Sequence, residues 1–119
     1  MNEVAKALYD FWSSFGLNAC VEGYVPDGWQ MPYITYSLAK PEWRSQALHY
    51  ARLWYRDTSY NAISEKLKEI EDRIGEGYSI PTDSGFVCIY KDSQFIQFQP
   101  DEDVTVKIAY LSMFIEANL

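Results

Sequence analysis

Apolar residues recur at helical spacing in two stretches of the chain. The first stretch runs from about Asn2 to Phe15 and is followed by Gly16, which is a typical stop signal. The second places one apolar stripe opposite charged residues, and Gly75 and Gly77 end it. The apolar members of the stretches are Val4, Ala7, Leu8, Phe11, Trp12 and Phe15, and then Tyr60, Ile63, Leu67, Ile70 and Ile74. The pattern therefore predicts two amphipathic helices, the second of them capped by a hydroxyl of the Thr58–Ser59 pair.

The remaining apolar residues lie in short runs typical of β-strands, which are bounded by turn residues such as Gly, Pro, Asn and Asp. Strand candidates before the second helix are residues 18–23, 33–39 and 47–57, and those after it are 86–90, 95–99 and 104–110, with 78–80 as a further short candidate. Lys91-Asp92-Ser93 is predicted to join the strands on either side of it as a hairpin. In the last candidate, apolar residues alternate with their neighbours from Val104 to Tyr110, which is the period of a strand with one buried face.

Taken in order, these elements predict an α+β fold with the order α-β-β-β-α-β-β-β. The turns are short enough for hairpins, so we expect a mostly antiparallel sheet with both helices packed on one face. No linker or repeat interrupts the pattern, and 119 residues is the size of one domain. Residues 1–119 are therefore predicted to form a single α+β domain.

Charge and hydropathy narrow the classes of partner. The chain has 17 acidic and 10 basic residues and a formal charge of −7. This charge repels phosphate, so it disfavours sequence-specific binding of nucleic acid and binding to anionic lipid. No apolar run approaches the roughly 20 residues that cross a bilayer, and the N-terminal stretch lacks the pattern of a signal peptide. We therefore expect a cytoplasmic protein with no membrane partner.

Candidate chemistry is sparse. His49 is the only histidine, and no nucleophile motif lies near it, so a structural role is favoured over a catalytic one. The acidic run 101–103 lacks the further ligands and the glycine of a calcium loop, and Cys20 and Cys88 have the apolar neighbours of buried free thiols. We expect no enzymatic activity, no metal site and no cofactor.

Aromatic residues stand out instead. The chain has 10 Tyr, 4 Trp and 6 Phe, more than a core of this size readily buries, and two of the tryptophans fall in predicted loops. The candidate subunit-interface residues are Pro26, Trp29, Met31, Pro32 and Trp43. Tyr and Trp are enriched at protein interfaces, although loop tryptophans that fold back to cap the sheet would give the same pattern. Both interpretations stay open at this point.

Several segments resemble a known family. They are Tyr24-Val25-Pro26, residues 31–36 (Met-Pro-Tyr-Ile-Thr-Tyr), residues 53–60 (Leu-Trp-Tyr-Arg-Asp-Thr-Ser-Tyr), and residues 85–90 (Gly-Phe-Val-Cys-Ile-Tyr) with Gln94-Phe95. Together they resemble small tail terminator, or head-to-tail joining, proteins of siphophages and prophages of Gram-positive bacteria, some of which are called minor capsid proteins. The resemblance spans most of the chain and rests on structural patterns without a chemical signature.

The resemblance implies a subunit of a hexameric ring that caps the tail tube and joins it to the head connector. Its partners would be further copies of itself, the tail tube protein and the head connector, first in the host cytoplasm and then in the tail or neck of the virion. DNA would pass through the lumen, and an acidic bore suits that passage because it does not hold phosphate.

Two alternatives remain. One is a neck or capsid completion protein that docks on the portal. The other is a small cytosolic adaptor or regulator that binds a protein partner through its aromatic loops.

Overall fold

The fold is known from a computed structural model that describes residues 3–38 and 46–119. The described residues form helices α1 (Glu3–Ser13) and α2 (Asn61–Ile74) and strands β1 (Asn18–Val21), β2 (Tyr33–Tyr36), β3 (Gln46–Arg56), β4 (Tyr78–Pro81), β5 (Phe86–Gln99) and β6 (Val106–Asn118). The order of these elements is α-β-β-β-α-β-β-β, which confirms the predicted α+β class.

The strands form one sheet with the order β1-β2-β3-β6-β5-β4. β1 pairs with β2 in parallel, and every other neighbouring pair is antiparallel. The centre of the sheet is the long β3–β6 ladder, which runs from the Gln46–Glu116 pair to the Arg56–Val106 pair. The prediction of a mostly antiparallel sheet is therefore confirmed.

Both helices pack on the same face of the sheet, as predicted, and form one hydrophobic core with it. Each helix presents an apolar stripe, and every second residue of a strand points to this face. The fully buried members of the core include Leu8 and Trp12 of α1, Ile70 and Ile74 of α2, and Leu53, Leu111, Met113 and Ile115 of the two central strands.

The predicted hairpin at Lys91-Asp92-Ser93 is wrong. Residues 86–99 form the single strand β5, which pairs with β6 on both sides of an irregularity between Lys91 and Ile96. Asp92 accepts a hydrogen bond from Ser112 Oγ of β6 at 3.1 Å, so the polar segment stays beside its partner strand. A β-bulge absorbs extra residues without reversing the chain, and its polar residues imitate a turn in the sequence.

The start of α2 agrees in part with the predicted cap. Ser59 Oγ accepts a hydrogen bond from the Asn61 amide at 3.2 Å, and the Asp57 carboxylate accepts one from the Ser59 amide at 3.2 Å. The cap position itself is Tyr60, whose side chain makes no capping bond. Local hydroxyl and carboxylate acceptors therefore organise the approach to the helix.

Candidate interaction surface

No helix or strand among the described residues covers the second face of the sheet. Alternation along the strands directs the side chains opposite to the core residues toward it. We call this surface the open face, and we define it by Tyr33 and Thr35 of β2, Leu48, Tyr50, Arg52 and Trp54 of β3, and Ile108, Tyr110 and Phe114 of β6. Leu48 is 63% exposed and Tyr50 is 38% exposed, so apolar and aromatic surface here meets solvent.

Aromatic rings stack across neighbouring strands of the open face. Tyr33 and Trp54 lie opposite each other with ring centroids 6.1 Å apart and an interplanar angle of 30°. Tyr50 and Tyr110 stack at 5.6 Å and 24°, and the Arg52 guanidinium lies 5.1 Å from the centroid of the Tyr110 ring. Stacked cross-strand pairs and cation–π contacts hold these flat side chains in place.

The polar groups of the open face are largely satisfied within the chain. The Arg52 side chain forms an ion pair with the Glu22 carboxylate and also donates from Nε to Gln99 Oε1 at 3.2 Å. Trp54 Nε1 donates to Thr35 Oγ1 at 2.9 Å. The surface therefore presents aromatic area with its arginine charge already paired.

The loop between β1 and β2 extends this surface. Trp29 is half-buried and its ring lies 6.1 Å from that of Tyr33 at an angle of 55°, so Trp29, Tyr33 and Trp54 form a continuous row. Beside the row is an open cavity of about 420 Å³, lined by Trp29, Gln30, Met31, Tyr33 and Arg56. The loop tryptophan thus folds back onto the sheet and still keeps part of its surface exposed.

The structure brings only some of the predicted interface residues together. Trp29 and Met31 line the same cavity. Pro26 and Pro32 are exposed, and neither lines that cavity. Trp43 lies outside the described residues, so the prediction for it has no structural outcome.

The sequence interpretation missed the sheet residues of this surface. The sequence pattern places Tyr33, Arg52, Trp54 and Tyr110 in strands and marks none of them as an interface residue. A signal was present in β3, where Leu48, Tyr50, Arg52 and Trp54 occupy alternate positions and so share one face.

A separate apolar patch lies beside β1, which is an edge strand of the sheet. Tyr24 is 75% exposed, Leu38 is 60% exposed and Tyr9 is 54% exposed, and they line a shallow depression with residues of β1 and β2. The described residues therefore present apolar surface at this edge as well as on the open face.

The candidate chemical groups have structural partners. His49 is fully buried and makes hydrogen bonds with Trp12 and Ser37, as a structural histidine would. In the acidic turn, the hydroxyl of Thr105 and the guanidinium of Arg56 lower the pKa of Asp103 to about 2 by hydrogen bonding to its carboxylate.

The two cysteines are free, and each is only partly buried, whereas the sequence predicts buried thiols: Cys20 lies in β1 and Cys88 in β5. Within residues 3–38 and 46–119, no three His, Cys, Asp or Glu side chains cluster as metal ligands would. In the same ranges, neither helix has the length and apolar character needed to span a membrane.

Comparison of the chain with protein family models, with curated protein sequences and with solved structures finds no significant match.

Proposed function

We propose that the protein is a structural subunit of a bacteriophage tail, one that assembles into a ring, caps the tail tube and joins it to the head connector. The phage role and the hexameric ring come from the resemblance of its sequence segments to tail terminator proteins. The structural observation that carries the proposal is the open face, whose aromatic row continues into the Trp29 loop. A subunit of this kind needs contact surfaces and no catalytic group.

The composition of the open face suits a contact between proteins. Aromatic side chains and arginine are enriched at interface cores, and unpaired charges are depleted there. Tyr50, Tyr110 and Trp54 supply flat area at a small cost in side-chain entropy, and Arg52 is already paired with Glu22. Binding to this face would therefore bury apolar area without stranding a charge.

Closure into a ring requires a head-to-tail contact, in which each subunit uses two different surfaces. The open face with its Trp29 loop is one such surface, and the patch at Tyr9, Tyr24 and Leu38 is a second with a different composition. The formal charge of −7 supports passage of DNA through such a ring, since an acidic lumen would repel phosphate.

The test is the mass of the purified protein in solution, measured by light scattering over a wide concentration range. We expect a closed ring of the wild-type chain and its loss in Trp29→Asp, because a carboxylate beside Tyr33 would have to be desolvated in the contact. Tyr60→Asp is the matched control: Tyr60 is also an exposed aromatic residue, but it lies at the start of α2, where an aspartate is a good cap.

A ring that survives Trp29→Asp would remove the loop from the interface. A monomer at every concentration, including in the presence of tail tube protein, would contradict the ring. Copurification with isolated heads instead of tails would move the proposal to the neck or capsid completion alternative.

The adaptor alternative is favoured by one observation, the exposed patch at Tyr24 and Leu38 beside an edge strand. An apolar patch at a sheet edge is a surface on which a partner segment can dock as an added strand. Tyr24→Asp distinguishes the two roles by what is lost: loss of a captured host protein from a monomeric chain would support the adaptor, and loss of a closed ring would support the head-to-tail contact. Capture that is unaffected would count against the adaptor.

A further inference from the structure

A hydrogen bond between two buried side chains, Trp12 and His49, joins helix α1 to the sheet. Trp12 Nε1 donates to Nε2 of His49 at 2.9 Å, and both side chains are fully buried. The indole N–H can only donate, so Nε2 must carry a lone pair. The ring proton is therefore on Nδ1, which lies 3.2 Å from Ser37 Oγ.

The hydroxyl of Ser37 has a second partner, the amide of Tyr50, which donates to Oγ at 3.0 Å. The Trp12–His49 contact thus belongs to a chain of hydrogen bonds that runs from α1 through β3 to the residue after β2. The neutral imidazole fits this series of hydrogen bonds, because it accepts at Nε2 from Trp12 and donates at Nδ1 to Ser37. A protonated imidazole has two donors and no acceptor, so it does not fit.

The surroundings of the ring offer no anion within the described residues. The Trp12 and Tyr36 rings have centroids 6.0 and 6.3 Å from that of His49, and Met113 lies opposite His49 on β6. The nearby titratable groups are Tyr36, whose pKa is raised by burial, and, around it, Cys20 and Tyr9. On the next strand, Lys91 lies opposite Met113.

Burial accordingly lowers the pKa of His49 from 6.5 to about 4, against a smaller opposing contribution from a hydrogen bond to the backbone of Ser37. An exposed histidine would titrate near its ordinary value. Acid therefore favours any state in which this ring reaches water.

We propose that the Trp12–His49 contact is an acid-sensitive attachment of α1 to the sheet. Protonation of Nε2 places a second donor against the Trp12 N–H, so the contact breaks and the last turn of α1, which contains Trp12, separates from the sheet. The two ends of α1 have other ties: Glu3 accepts from the Ser84 amide at 2.8 Å, and Arg73 donates to Ser14 Oγ at 2.7 Å. α2 has no such dependence on His49, and it stays in place.

Hydrogen exchange of backbone amides at pH 7.5 and pH 5.5, corrected for the intrinsic rate at each pH, tests the proposal. We expect the opening equilibrium of α1 to rise about tenfold on acidification, as linkage predicts for a group with this difference in pKa between closed and open states. The same equilibrium for α2 should stay within about twofold. In His49→Gln the side-chain oxygen can still accept from Trp12 but does not titrate, so the pH dependence of α1 should disappear.

Equal loss of protection in α1 and α2 would overturn the proposal, and so would an identical response of wild type and His49→Gln. If His49→Gln does not fold, Trp12→Phe provides a second test, in which NMR of the ring protons reports the pKa of His49 directly. Removal of the indole donor should raise that pKa relative to wild type. An unchanged pKa would show that the Trp12 contact does not hold the imidazole neutral.

Discussion

The two faces of the sheet are built from the same strands and differ in almost every physical respect. The face under the helices is mainly aliphatic and closed, with Leu53, Leu111 and Ile115 fully buried. The open face is aromatic, carries the paired arginine Arg52, and leaves much of Leu48 exposed. Alternate residues of a strand point to opposite faces of the sheet. One set of side chains therefore stabilises the fold, and the other set forms a contact surface.

Each face can therefore change with little effect on the other. Side chains of the covered face contribute to the free energy of folding because they leave water when the chain folds. On the open face, Leu48 and Tyr50 have removed only part of their surface from water, so their remaining area is available to a partner. Strand β3 contains both kinds of position within the range Gln46–Arg56.

The largest expected effect comes from leucine truncation on the two sides of β3. Leu53→Ala should lower the free energy of unfolding by about 2–5 kcal/mol, because it leaves a cavity in a closed core. Leu48→Ala, on the same strand at 63% exposure, should change it by about 0.5 kcal/mol or less. Urea unfolding of both variants measures the difference, and equal costs would show that the open face is as much a core as the other.

The sequence predicted those parts of the fold in which local pattern and tertiary packing agree. The stripe from Ile63 to Ile74 predicts α2 because its apolar face is also the face that the sheet buries. The pattern at residues 91–93 predicts a turn, but the structure has a bulge there. Pairing with β6 on both sides of these residues outweighs their local preference for a turn. The parallel pairing of β1 with β2 has no signal in the sequence of either strand. It depends on the path that the connecting loop takes before β2 begins.

The candidate surface was predictable only in part for a similar reason. The sequence predicts Trp29 as an interface residue because it is an aromatic residue in a loop rich in proline and glycine. The contribution of Arg52 and Tyr110 depends on which face of the sheet the helices cover, and strand alternation does not determine that. The Trp12–His49 contact joins residues 37 positions apart, and no spacing rule connects them.

A smaller effect is expected from the ion pair of the open face. The Arg52 and Glu22 side chains are only 25% and 32% exposed, and Oε2 of Glu22 is buried with no hydrogen-bond partner among the described residues. Arg52→Met should therefore cost about 1–3 kcal/mol, since it leaves a carboxylate partly buried and unpaired. Thermal or urea unfolding of Arg52→Met, Glu22→Gln and the double variant gives the coupling energy.

The matched control for this pair is on the surface of α2. Lys68 and Asp72 form an ion pair with side chains 77% and 65% exposed, and Asp72→Asn should cost no more than about 0.5 kcal/mol. Strict additivity of Arg52→Met and Glu22→Gln would contradict the view that the open face is held together by its own paired charges.

The smallest expected effect is the response of the Asp103 turn to acid. Hydrogen bonds from Thr105 and Arg56 lower the pKa of Asp103 from 3.8 to about 2, so the folded state binds this proton less readily than the unfolded state does. The stabilisation is therefore complete above pH 3.8 and is lost as the pH falls toward 2. Asp103→Asn should be slightly less stable than wild type at pH 7, and the two should converge as the pH falls through that window.

Unfolding midpoints of wild type and Asp103→Asn at pH 7, 4 and 2.5 make this measurement, and a gap that stays constant across the window would contradict it. The same series separates the two faces of the sheet, because His49 binds a proton more readily in the unfolded state than under α1, and stability therefore falls as the pH drops from 6.5 toward 4, above the Asp103 window. Asp103→Asn should leave the loss of stability between pH 6.5 and 4 unchanged, since that loss depends on His49. The covered face would thus respond to mild acid through one buried imidazole, and the Arg56 end of the sheet only to stronger acid through an exposed carboxylate.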